Sequence, residues 1–197
     1  MRSSILALAA TATLALVTPA QATIKVFSVN LSGANESPPN ASTGTGTATI
    51  TFDTALSTMR VQASFSGLVG TSTNSHIHCC TASPGTSTAG VATVTPTFTG
   101  FPSGVHSGSY DNTFNMLAAS GAWNSAFVTG NGGTPASAFA ALLAGATAGK
   151  AYLNVHSSTV AGGEIRGFLT LVPEPASAAL MVGGLGLLAA AARRRRG

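Results

Sequence analysis

The stretches GTGTATITF at 44–52 and TMRVQASF at 58–65 decide the fold class of this chain. In each stretch the apolar residues fall on every second position, from Ala48 to Phe52 in the first and from Met59 to Phe65 in the second. This period of two is typical of a strand with one buried face, and the five residues 53–57 between them are enough for a turn. The pattern predicts an antiparallel β-hairpin.

Similar patterns run along the rest of the chain. Further strands are predicted at 24–31, 74–79, 91–98, 111–117, 151–157 and 164–171, the last two joined by a turn at 160–163. Thr134 and Pro135 are a typical helix start, so one short helix is expected over 136–146. The sequence therefore predicts an all-β fold, an antiparallel β-sandwich or barrel, with one short helix.

The first 22 residues have the features of a secretory signal peptide. Arg2 precedes an apolar segment at 5–17, and Ala20-Gln21-Ala22 offers small residues for cleavage. We expect an N-terminal signal helix over 1–22 and a mature chain beginning at Thr23.

The C-terminal end, residues 172–197, combines three features. Pro173, Glu174 and Pro175 precede an uncharged apolar segment at 176–192, and Arg193, Arg194, Arg195 and Arg196 follow it. Seventeen helical residues rise roughly 25 Å, so a transmembrane helix is expected at 176–192 with the arginines on the cytoplasmic side. The three features together resemble the PEP-CTERM sorting signal. That resemblance implies an exosortase-type membrane protease as partner, a membrane-anchored precursor, and a final location at the cell surface or outside the cell.

The charge of the segment between these ends excludes one class of partner. The chain has a formal net charge of +4, but Arg2 and the terminal arginines supply five of the nine cationic residues. Residues 23–175 carry four cations and five anions, namely Lys25, Arg60, Lys150 and Arg166 against Glu36, Asp53, Asp111, Glu164 and Glu174. A body so close to neutral has no basic patch for nucleic acid.

Several short motifs between 23 and 171 resemble one known family. They are LSGANESPP at 31–39, GTGTA at 44–48, FSGL at 65–68, HIH at 76–78, AYLNVHS at 151–157 and GGEIRG at 162–167. Their order and spacing are similar to those of the CHRD (chordin-type) domain. The resemblance implies an immunoglobulin-like or related all-β fold, and it implies no reaction. The expected function is a non-catalytic binding or structural module of the cell surface or matrix, with extracellular polysaccharide or other surface proteins as candidate partners and no cofactor.

The histidines support an alternative. His76 and His78 are two residues apart in a predicted strand and share a face, while His156 lies on another strand and Glu164 begins the next. These four side chains could hold zinc or copper, making the protein a metal-binding module or a metalloenzyme. They could equally form a polar network with Arg166 that fixes the last hairpin to the sheet. Both interpretations require the three histidines to converge.

Motifs of common enzyme classes are missing from the body. It has no Gly-x-Ser-x-Gly motif, no phosphate-binding loop, and few aromatic side chains to support a sugar site between carboxylates. The protein is therefore predicted not to be an enzyme.

Cys79 and Cys80 are adjacent, and export places them in an oxidising compartment. Two buried thiols, a ring between the neighbours and an intermolecular bridge are all open. We favour the ring, because exposed thiols survive poorly outside the cell.

Overall fold

The computed structural model describes residues 23–118 and 120–173. Within these residues, eight strands form one sheet in which every recorded strand pair is antiparallel. The strands are β1 (Ile24–Ser32), β2 (Thr45–Asp53), β3 (Thr58–Ser66), β4 (Ser72–His78), β5 (Gly108–Asn115), β6 (Tyr152–Ser157), β7 (Ile165–Phe168) and β8 (Thr170–Leu171). Their order across the sheet is β4-β6-β7-β1-β2-β3-β5, and β8 also pairs with β1. The predicted all-β antiparallel fold is confirmed.

The hairpin predicted from 44–65 forms the centre of this sheet. β2 and β3 pair along their full length, from Asp53 opposite Thr58 to Thr45 opposite Ser66. Their alternating apolar side chains are buried on one face, and Phe52 there meets Phe27 of β1 edge-on at 5.6 Å between ring centroids. The period of two in the sequence thus places one whole face of the hairpin in the core.

The sheet curls into a half-barrel, and its two ends are linked by backbone hydrogen bonds. The amide of Ser72 at the start of β4 donates to the carbonyl of Val105, and the amide of Leu68 donates to that of His106. Residues 104–106 lead directly into β5, so these bonds bring the segments before the two outermost strands together.

Two helices follow β5, α1 (Ser125–Gly130) and α2 (Pro135–Thr147). The predicted helix is α2, which begins with a capping box between Thr134 and Ser137. Its Phe139 lies 6.0 Å from Phe52 between ring centroids, so α2 packs on the core face of the central hairpin. Helix α1 spans only six residues, and the side chain of Asn124 caps it.

The strand predicted at 91–98 does not form. Val91 and Thr93 make only isolated bridges, to His78 and Trp123 respectively. Pro96 lacks the N–H that a strand ladder needs, and the segment runs beside β4 as an irregular strand-like connection. Its Phe98 amide still donates to the carbonyl of Ser75, so the segment covers β4 without extending the sheet.

The predicted signal helix at 1–22 and transmembrane helix at 176–192 lie outside the described residues. In the part of the chain that is described, none of the helices has the length and apolar character to cross a bilayer.

Candidate metal centre

Neighbouring strands bring three histidines together. His76 and His78 lie on β4 and His156 lies on β6, and these strands pair with His76 opposite Asn154 and His78 opposite Tyr152. Ile77, between the two β4 histidines, points into the core and is fully buried. Strand alternation therefore puts both β4 imidazoles on the other face, where His156 reaches them.

The three imidazole rings are in contact. The ring centroid of His76 lies 4.7 Å from that of His78 and 4.7 Å from that of His156. One ring nitrogen from each histidine lies within 4.8 Å of the others, and the Nε2 atoms of His76 and His156 are 3.0 Å apart. His76 is buried, and the other two are half-buried.

Backbone carbonyls hold all three rings in one orientation. The Nδ1 atoms of His76, His78 and His156 lie 3.0, 2.8 and 2.8 Å from backbone carbonyl oxygens of the irregular segments around the cluster. The carbonyls belong to Pro96, Ala89 and Ala161 in that order. A carbonyl can only accept, so each Nδ1 carries a proton and donates it, which leaves Nε2 as the free ligand atom of each neutral ring.

Burial keeps two of the rings neutral. It lowers the pKa of His76 to about 4, with the nearby His78 adding to the effect. Burial likewise lowers the pKa of His78 to about 4, against the opposing effect of the Ala89 carbonyl. At neutral pH both rings therefore present an Nε2 lone pair to the centre of the cluster, and the buried Nε2 of His78 has no hydrogen-bond partner.

The facing ring nitrogens of this cluster suit a cation. The Nε2 atoms of His76 and His156 face each other at 3.0 Å, and a proton or a metal ion between them would relieve the repulsion of two lone pairs. A proton would serve that pair and leave His78 Nε2 without a partner. A metal ion would accept all three nitrogens, and the carbonyl bonds to Nδ1 are the second shell that histidine ligands commonly have.

Glu164, the fourth ligand predicted from the sequence, does not join the histidines. Its buried carboxylate accepts hydrogen bonds from Ser42 Oγ at 2.5 Å and from the amides of Val69 and Gly70 at 2.6 and 3.2 Å. Burial would raise its pKa, but the hydrogen bonds from Ser157, Ser42 and the two amides outweigh that and lower it. Glu164 is thus a buried anion that ties the loop at 69–70 to the last hairpin, and it also makes no pair with Arg166.

Two family models match the chain. The CHRD domain model covers residues 27–169, and the PEP-CTERM protein-sorting motif covers residues 171–196. The chain belongs to the CHRD domain family. No curated protein and no solved structure gives a significant match to it.

The sorting motif fixes the route of this CHRD protein. It is exported, sorted by an exosortase membrane enzyme, held first as a membrane-anchored precursor and then displayed at the cell surface. Both families are non-enzymatic, which fits a non-catalytic module.

A buried ion pair in the CHRD domain was not predicted from the sequence. Arg166 of β7 lies with its Nε 3.8 Å from Glu36 Oε2, and both side chains are buried. The guanidinium also stacks 4.7 Å above the ring of Tyr152, which in turn stacks on His78 at 4.6 Å with nearly parallel planes. Glu36 lies in the LSGANESPP motif at 31–39, but nothing in the sequence pattern pairs it with residue 166.

The cysteines lie directly after His78. Cys79 and Cys80 are joined by a disulfide, with Cα atoms 3.0 Å apart. The ring rests on Gly145 of α2, where a Cβ atom would lie 2.3 and 2.4 Å from the two sulfurs. A glycine inside this helix is therefore needed for the disulfide to pack against it.

Proposed function

We propose that the CHRD domain of this surface protein is a non-catalytic metal-binding module that holds a zinc or copper ion through Nε2 of His76, His78 and His156. The observation that carries the proposal is the buried Nε2 of His78, which has no partner although its Nδ1 is fixed by the Ala89 carbonyl. Buried polar atoms in native proteins nearly always have a partner. A metal ion supplies one here, and a proton shared between the other two rings does not.

The ligand set favours these two metals. Three neutral imidazoles suit zinc, copper and related transition metals, whereas calcium and magnesium need oxygen ligands. The cluster of ligand side chains found among the described residues contains no carboxylate or thiolate. Three protein ligands leave at least one position for water or a group from a partner. Association with extracellular polysaccharide or with other surface proteins stays a prediction.

The test is thermal unfolding of the exported protein, purified from the cell surface and stripped with a chelator. At a free metal concentration 100-fold above Kd, binding to the native state stabilises by about 2.7 kcal/mol. For a domain of this size we expect a rise in Tm of roughly 5–10 °C on adding Zn²⁺ or Cu²⁺. His78→Ala should abolish the rise, and His106→Ala, which changes an exposed histidine bonded to Leu68, should preserve it.

The polar-network alternative gives a different result. If the histidines only bond to one another and to the loops, His78→Ala lowers Tm by the same amount with metal and with chelator. A parent protein whose Tm does not respond to either metal would contradict the proposed function.

A further inference from the structure

A buried ion pair lies one aromatic ring away from the candidate metal centre. Glu36 is 8% exposed and Arg166 is 3% exposed, with 3.8 Å between Arg166 Nε and Glu36 Oε2. Arg166 also donates to the carbonyls of Asn35 and Ser87, which fixes its guanidinium. The pair borders a cleft of about 580 Å³ between the segments that contain residues 34–39 and 85–87, through which protons can exchange with solvent.

One carboxyl oxygen of Glu36 has no hydrogen-bond partner. Glu36 Oε1 and Asn154 Oδ1 are buried and have no hydrogen-bond partner. Both face the turn at Gly163, where a Cβ atom would lie 2.9 Å from Oε1 and 2.7 Å from Oδ1. A carboxylate and an amide oxygen are both acceptors, so neither can satisfy the other. A protonated Glu36 would instead present an O–H donor beside the turn that Asn154 Oδ1 also faces.

The positive charge of this pair acts on the metal ligands. The Arg166 guanidinium lies 4.7 Å above Tyr152, and Tyr152 stacks on His78 at 4.6 Å. After burial, which is the main cause, the charge of Arg166 contributes to the lowered pKa of His78. An ion bound by His78 would therefore experience the charge of Arg166 across one intervening aromatic ring. Whether Glu36 balances that charge decides the field at the ion.

We infer that Glu36 and Arg166 determine which ionic charge the three-histidine site accepts, an inference that rests on the metal-binding function proposed above. With Glu36 ionised the pair is neutral, and the site accepts a divalent ion. With Glu36 protonated, the charge of Arg166 is unbalanced. The site then disfavours Zn²⁺ and Cu²⁺ more strongly than Cu⁺.

The change falls near neutral pH. Burial raises the pKa of Glu36 to about 7, against the charge of Arg166 and the amide of Ser37. Arg166 on β7 is the charged group that acts on this carboxyl among the described residues, while Asn154 on β6, the turn at Gly163 and the segment 85–87 present uncharged groups. His76 and His78, each with a pKa of about 4, stay neutral between pH 6 and pH 8.

Coulomb energy is proportional to the charge of the ion, which makes the effect measurable. If the unbalanced guanidinium weakens a divalent ion on the order of tenfold, it weakens Cu⁺ by the square root of that factor, about threefold. The difference raises the Cu²⁺/Cu⁺ midpoint potential by about 30 mV, since a tenfold ratio is 59 mV for one electron. Protonation of a ligand histidine, by contrast, competes equally with every ion.

The experiment measures Kd for Zn²⁺ and for Cu⁺ by chelator competition, at pH 8 and pH 6, on the exported protein and on Glu36→Gln. In the parent we expect the logarithm of Kd to rise on acidification for both ions. One part of the rise should be the same for both, and a second, charge-dependent part should be twice as large for Zn²⁺ as for Cu⁺. In Glu36→Gln the charge-dependent part should vanish, with the Zn²⁺ site weak at both pH values. Asp111→Asn, which neutralises an exposed carboxylate paired with Arg60, is the matched control and should behave like the parent.

Equal pH shifts for Zn²⁺ and Cu⁺ in the parent would overturn the inference while leaving metal binding intact, and this holds even if Glu36→Gln does not fold. A pH response of Glu36→Gln identical to the parent's would overturn it as well. If neither ion binds the parent at pH 8, the proposed function fails and this inference fails with it.

Discussion

Acidification from about pH 7 to about pH 5 is expected to destabilise the metal-free protein through His76 and His78. Burial lowers the pKa of each to about 4 in the folded state, whereas an unfolded histidine titrates near 6.5. Between pH 7 and pH 5 the unfolded chain therefore binds protons at these two histidines that the native state does not bind. The stability that these neutral rings contribute is present above pH 6.5 and is lost as the pH falls toward 4.

The size of the loss depends on Glu36, whose shift has the opposite sign. Each histidine costs about 2 kcal/mol between pH 7 and pH 5, or about 4 kcal/mol for the two. Burial raises the pKa of Glu36 to about 7, so its native form takes up a proton that the unfolded carboxyl, near 4.5, takes up only in stronger acid. That uptake adds about 2 kcal/mol of stability over the same interval. The net expected loss is about 2 kcal/mol in the parent and about 4 kcal/mol in Glu36→Gln.

Urea unfolding followed by circular dichroism, with chelator present at each pH, measures both numbers. In His78→Asn, the histidine part of the acid-induced destabilisation should fall to about half of its value in the parent. In His106→Asn, at an exposed histidine outside the cluster, that part should be unchanged. The reasoning is refuted if the parent and Glu36→Gln lose the same free energy of unfolding, or if His78→Asn loses as much as the parent.

Two substitutions test the packing around the site. Gly145→Ala improves helix propensity by about 1 kcal/mol, yet its Cβ overlaps both cysteine sulfurs, so we expect a net destabilisation of about 1–3 kcal/mol in thermal unfolding. Gly130→Ala, at a helical glycine with open space around it, should be neutral or stabilising, and equal effects of the two would contradict the overlap. Glu164→Gln places an NH₂ group against donors in a buried pocket and should cost about 2–4 kcal/mol in urea unfolding. Asp111→Asn, at an exposed carboxylate, should cost much less, and a similar cost for both would show that the bonds to Glu164 add nothing.

The strands with strict alternation were predictable from the sequence, whereas the outcome at 91–98 was not. In 44–52 and 58–65 every apolar residue falls on one face, so no other structure buries them together. The segment 91–98 also contains alternating apolar residues, but its hydrogen bonds are scattered single bonds to β4 and to the segment around residues 122–123 rather than a ladder. Such a segment has the composition of a strand, and only its neighbours decide whether it pairs.

The approach of the three histidines followed partly from the sequence. The spacing of His76 and His78 fixes a common face, because strand alternation is local. Placing β6 next to β4 is a property of sheet topology, in which strands distant in the chain become neighbours. Glu164 was expected beside them for a similar reason. The chain instead offers it Ser42 and two amides of the loop at 69–70, contacts that no strand pattern contains.

What makes the cluster a candidate metal centre depends on the loops. Each imidazole could bind through either nitrogen, and the carbonyls of Pro96, Ala89 and Ala161 decide which one remains free. Those carbonyls come from irregular segments, whose conformation no periodic sequence pattern predicts. The charge near the site likewise depends on Glu36, which reaches Arg166 across 130 positions of sequence. A sequence can therefore indicate candidate ligand residues, while the nitrogen that we propose binds the ion and the ionic charge that we infer for the site depend on contacts that exist only in the folded chain.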